Sequence, residues 1–128
     1  MFGLRFAKIF LMYSPQVLDH FQNPRNAGDL LDATASVEVQ NPGCGDILRL
    51  SVKVKDGYIA DVRFRAKGCV ASMACASALT EMVRGQTPAE AGHLRREELI
   101  NALGGLPEAS LHASHLAMDA LTAVLKKL

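Results

Sequence analysis

The stretch LRLSVKVKDGYIADVRFRAK, residues 48–67, decides the fold. Leu48, Leu50, Val52 and Val54 alternate with Arg49, Ser51, Lys53 and Lys55. After Asp56-Gly57 the alternation resumes, with Ala60, Val62, Phe64 and Ala66 set between Asp61, Arg63, Arg65 and Lys67. A period of two marks a half-buried strand, and Asp-Gly between two such runs marks a tight hairpin turn. The reading is a β-hairpin with one apolar face, and that face needs a cover.

Both flanks supply one. Upstream, residues 36–40 place Val37 and Val39 between polar neighbours, which predicts an edge strand. Downstream, the alternation stops at Gly68-Cys69, and CVASMACASALTEMVRG reads as a small-residue-rich helix ending at Gly85. Its alanines would let it lie close on the sheet. Ser14-Pro15 starts a short helix that Asn23-Pro24 stops. Thr87-Pro88-Ala89-Glu90 is a capping box, so another helix begins there, and EELINALGG is a further short helical piece. In the last segment, Leu111, Met118, Leu121, Leu125 and Leu128 form the expected apolar stripe of a terminal helix. The fold class is α+β, a hairpin with an edge strand and several helices.

The bulk properties narrow the function. A chain of 128 residues fits one domain. The balance of 14 basic and 13 acidic side chains argues against a surface built for a polyanion, so nucleic acid is not an expected partner. The apolar N-terminal run is too short for a membrane span or the core of a signal peptide, and the expected location is cytoplasmic. Met12 is a second possible start. The organisation read here is therefore an extension over residues 1–11 followed by a domain over 12–128. Three cysteines in a reducing compartment favour metal or thiol chemistry over a disulfide framework.

The chemistry gathers at element ends. In NPGCGD, residues 41–46, Cys44 stands between two glycines and ahead of Asp46. Glycine clears the approach to a sulfur, although a tight turn with an incidental cysteine has the same spelling. Cys69 falls at the strand-to-helix junction, where free N–H groups and the helix dipole favour an anionic ligand. His112 occupies the first turn of the last helix. Two thiolates, one imidazole and one carboxylate form a set that suits tetrahedral zinc or, shared between two irons, a small iron–sulfur cluster. Cys75 lies six residues past Cys69, on another side of the helix, and reads as a buried small residue. His115, a turn from His112, ranks behind it as a neighbour or reserve ligand; His20 and His93 read as surface or loop histidines, and Met73, Met82 and Met118 as core filler. Cys69 and His112 could also serve as nucleophile and base, but no substrate pocket is legible and no enzyme is expected.

These blocks together resemble the NifU-like, IscU-type iron–sulfur cluster assembly scaffold family. The resemblance runs through YSPQVLDHFQNPRNAG, NPGCGD, RFRAKGCVASMACASALTEMVRG and LPEASLHASHLAMDAL, in order and at compatible spacing. It implies a three-stranded antiparallel sheet with helices packed on one face, and a metal or cluster site at Cys44, Asp46, Cys69 and His112. It implies a 2Fe-2S cluster or a single iron as cargo, with zinc as a further occupant, and a cysteine desulfurase as partner. Two departures stand out. The family's third cysteine, directly after the histidine, is Ala113 here. A chaperone-recognition stretch similar to LPPVK reads LPEAS, so the resemblance does not carry over a chaperone contact. The expected function is a cluster scaffold or carrier; the alternative is a zinc-binding paralogue that regulates or docks on a cysteine desulfurase.

Overall fold

A computed structural model describes residues 12–43 and 45–128. The expected extension, residues 1–11, and Cys44 lie outside the described residues. Helix α1 (Pro15–Gln22) is followed by β1 (Ala35–Gln40), β2 (Ile47–Lys55) and β3 (Tyr58–Lys67), then α2 (Val70–Val83), α3 (Pro88–Ala91), α4 (Arg96–Ala102) and α5 (Leu111–Leu125). A 3-10 turn over Glu108–Ser110 leads into α5. The sheet is antiparallel in the order β1-β2-β3. The helices cover the face that carries Leu48, Leu50, Val52, Val62 and Phe64: α5 packs on β1 and β2, and α2 packs on β3. Helix α1 lies against α2, while α4 touches both α2 and α5. Among the described residues no helix is long and apolar enough to cross a membrane.

The hairpin turn forms at Asp56-Gly57, with φ of 54° and 81°, the left-handed pair that a two-residue hairpin loop requires. Lys55 then pairs with Tyr58 and Val54 with Ile59, but Lys53 pairs with Asp61, which leaves Ala60 as the extra residue of a bulge. Ala60 is exposed and Ile59 is buried, so the inward face of β3 begins one residue earlier than strict alternation predicts. Both Ile59 and Val62 bury completely although they are three apart, and only a one-residue slip puts both on the core side. The slip carries through to the far end of the ladder, where Ile47 pairs with Lys67.

The caps follow the sequence. The Ser14 side chain accepts from the Val17 N–H at 3.0 Å, and its own hydroxyl donates to the Leu103 carbonyl, pinning the start of α1 to the end of α4. Thr87 and Glu90 close their capping box, although α3 runs a single turn before Gly92.

Two expectations are corrected. The buried face of α5 is Ala113, Ser114, Leu116, Ala117, Ala120, Leu121 and Val124, whereas Leu111, Met118 and Leu125 flank it and Leu128 is 41% exposed. Close approach to the sheet and to α2 selects the alanine-rich side, because small side chains let backbones come near, and the longer side chains fill the margins. His20 is no surface residue. Its Nδ1 lies 2.8 Å from Ser77 Oγ and its Nε2 3.6 Å from Glu81, between α1 and α2, and burial, reinforced by the Arg25 charge, holds its pKa below the usual imidazole value. His93 is exposed, as read, and Met73, Met82 and Met118 pack partly buried against the core.

Candidate metal centre

The β2–β3 register builds the centre. Since Ile47 pairs with Lys67, the next position outward sets Asp46 across from Gly68, and Cys69 follows as the N-cap of α2. A Cβ on Gly68 would lie 2.6 Å from Asp46 Cγ and 2.7 Å from its Oδ1. Real Cβ atoms do not come so near, so the absence of a side chain at residue 68 is what lets the carboxyl group sit over the strand end. The loop before it is held by its own backbone. The Asn41 N–H donates to the Asp46 carbonyl, and the Gly45 N–H donates to the Asn41 carbonyl, both at 2.8 Å. Gly45 has a φ of 75°, the positive value that the glycine-flanked bend calls for.

The third group arrives from the other end of the chain. The first turn of α5 carries His112, whose Nδ1 lies 3.1 Å from the Ala109 carbonyl oxygen. A carbonyl only accepts, so Nδ1 carries the proton there, and a neutral ring keeps its lone pair on Nε2, the atom that faces Asp46. Nε2 lies 3.6 Å from Asp46 Oδ2, and Cys69 Sγ lies 3.7 Å from the same oxygen. One ligand atom from each of Asp46, Cys69 and His112 falls within 4.8 Å of the other two.

Those separations approach what a single ion needs. With metal–ligand bonds of roughly 2.0–2.3 Å in a tetrahedron, neighbouring ligand atoms stand about 3.3–3.5 Å apart. The two spacings to Asp46 Oδ2 exceed this by a few tenths of an ångström, while the Cys69 and His112 ligand atoms lie within 4.8 Å of each other, so these two side chains have to draw together around an ion. Sulfur, imidazole nitrogen and carboxylate oxygen together suit zinc or ferrous iron. Asp46 is 6% exposed while Cys69 and His112 are half-buried, so a carboxylate floors the site and the other two donors stand at its rim.

The sequence reading named Asp46, Cys69 and His112, and the structure brings them together; its fourth member, Cys44, lies outside the described residues. His115 stands apart from the group: its Nε2 accepts from Arg96 Nη1 at 2.7 Å. Ala113, where the resembling family has its third cysteine, is 1% exposed. Cys75 is fully buried, and burial, with a smaller effect of Cys69, pushes its thiol up to about 12. In the native protein at pH 8, Cys75 should therefore escape alkylation while Cys69 is modified. Mass mapping after a brief iodoacetamide pulse checks this, and equal labelling of the two would contradict the burial.

Two participants escaped the sequence reading. Gly68 reads there only as the end of a strand. Ser72, 4% exposed in the first turn of α2, donates its hydroxyl to Asp46 Oδ2, and its Oγ lies 3.3 Å from Cys69 Sγ. The one signal for it was its place three residues after Cys69, on the same helix flank.

Comparison with known proteins extends the picture. The NifU-like N terminal domain family matches residues 12–128. An iron–sulfur cluster assembly scaffold protein IscU of Archaeoglobus fulgidus is 49% identical over 110 residues, which span 86% of this chain and 72% of that protein. The scaffold protein IscU of Haemophilus influenzae is 39% identical, over 90% of this chain and 94% of its own. Among solved structures, the N-terminal part of a nitrogen-fixing NifU-like protein from Brucella abortus superposes with a TM-score of 0.71 at 20% identity, covering 93% of this chain and 95% of that one. At that identity the likeness speaks for the fold.

Proposed function

Because the chain belongs to the NifU-like N terminal domain family, we propose that it is an iron–sulfur cluster assembly scaffold or carrier. Iron and sulfide are its cargo. The observation that carries this reading is the meeting of Asp46, Cys69 and His112 at one end of the sheet. Relatives at 39% and 49% identity that are named as cluster assembly scaffolds support it.

In this reading Cys69, Asp46 and His112 hold the cargo together with Cys44 from the adjoining loop. Two bridged irons ask for four protein ligands, and these residues are four. Two of the four are thiolates, since Ala113 stands where the family has a further cysteine. Carboxylate and imidazole bind iron of a sulfide cluster less firmly than thiolate does, which suits temporary custody over permanent residence. The protein binds and hands on, and no turnover is assigned to it. Sulfur comes from a cysteine desulfurase, the partner the family resemblance implies.

Anaerobic reconstitution with ferrous iron and sulfide tests the proposal. The unmodified protein should acquire a visible chromophore with stoichiometric iron and sulfide, and both Cys44→Ser and Cys69→Ser should lose it. A colourless, iron-free product from unmodified protein would sink the reading.

A further inference from the structure

We infer that Ser72 is a positioning residue that holds Asp46 in place for metal capture and acts on the metal through that carboxylate. This rests on Asp46, Cys69 and His112 being the ion-holding set. Asp46 Oδ2 is the atom on which the centre converges, since His112 Nε2 lies 3.6 Å and Cys69 Sγ 3.7 Å from it. The Ser72 hydroxyl donates to that same oxygen from a position almost closed to solvent. Gly68 leaves room for the carboxyl group, and Ser72 fixes its rotation from the side.

A hydroxyl has one proton to give. With that proton committed to Asp46, Ser72 Oγ can only accept from the Cys69 thiol across 3.3 Å. When a metal displaces the thiol proton, the bond to Asp46 remains, so Ser72 keeps its role in the loaded centre. Partners of metal ligands that act at one remove typically change affinity by roughly 10–100-fold when removed. An alanine at this position leaves Asp46 free to turn away between metal encounters, and each capture must then bring it back.

Cobalt(II), titrated anaerobically into four proteins, separates this role from a merely structural one. The four are unmodified protein, Ser72→Ala, Asp46→Ala and the double variant, with binding read from the sulfur-to-cobalt charge-transfer band. Ser72→Ala should bind about 10–100-fold more weakly, with the same band intensity per bound ion because the thiolates are untouched. In the Asp46→Ala background the same substitution should cost nothing further. An unchanged affinity for Ser72→Ala, or an equal loss in the Asp46→Ala background, overturns the inference. No charge-transfer band in unmodified protein removes the ion-holding set itself, and the role of Ser72 with it. Should Ser72→Ala fail to melt as one transition, Ser72→Thr and Ser72→Val, equal in bulk, repeat the comparison. The threonine protein should then bind at least about tenfold tighter, and equal affinities overturn the inference.

Discussion

Gly68→Ala is expected to strip the centre of its carboxylate while the fold stands. Gly68 is not among the residues with positive φ, so its backbone conformation admits an L side chain. The three atoms nearest the new methyl all belong to the Asp46 carboxyl group, at 2.6 Å to Cγ, 2.7 Å to Oδ1 and 3.0 Å to Oδ2. Strand pairing of Ile47 with Lys67 fixes both backbones, so the side chain of Asp46 has to leave. Its departure leaves the buried Ser72 hydroxyl without its acceptor and costs roughly 1–3 kcal/mol, less than a total stability of roughly 5–15 kcal/mol. It also removes one of the proposed ligands, and cobalt or zinc affinity should fall on the order of 100-fold or more. Metal titration together with a melting curve measures both effects. Full affinity in a well-folded Gly68→Ala protein would mean that the carboxylate takes no part in the centre.

The second large effect is on stability. Phe64 is 1% exposed in β3, under the helical layer, and is among the largest side chains buried in the described core. Its backbone also anchors the loop after α1: the Phe64 N–H donates to the Asn26 carbonyl at 3.0 Å, and the Gly28 N–H donates to the Phe64 carbonyl at 2.8 Å. Phe64→Ala keeps those main-chain bonds and opens a cavity, a change that costs about 3–5 kcal/mol. Against a total stability of roughly 5–15 kcal/mol this is a substantial share. Denaturant unfolding should show a markedly lower midpoint with an unchanged slope. A loss under about 1 kcal/mol would show that the site collapses around the gap, contrary to the packing described.

What was legible followed from short-range rules. Ser14-Pro15, Thr87 with Glu90, and Asp56-Gly57 each specify a local geometry through their own atoms, and each appears where it was read. Cys69 is legible as a helix-start residue because the alternation of β3 breaks there, and His112 because it follows the Leu106-Pro107 loop at the head of the last helical segment. The face of α5 was misread because hydrophobicity alone ranks Leu128 and Met118 above Ala113, Ala117 and Ala120. Contact between closely packed elements ranks them the other way, and that preference depends on neighbours remote in sequence.

By itself the sequence determined the hairpin, its turn, the helix starts and the kinds of donor available. Tertiary structure alone decided that they meet. Counted from the Asp56-Gly57 turn without interruption, Asp46 would stand opposite Lys67; the bulge at Ala60 moves it opposite Gly68, where there is room for a carboxyl group. That slip arises from burying Ile59 and Val62 together against the helices, a demand of the assembled core that no strand can state alone. The same packing brings the start of α5 to the end of the β2–β3 ladder, and so His112 to Asp46.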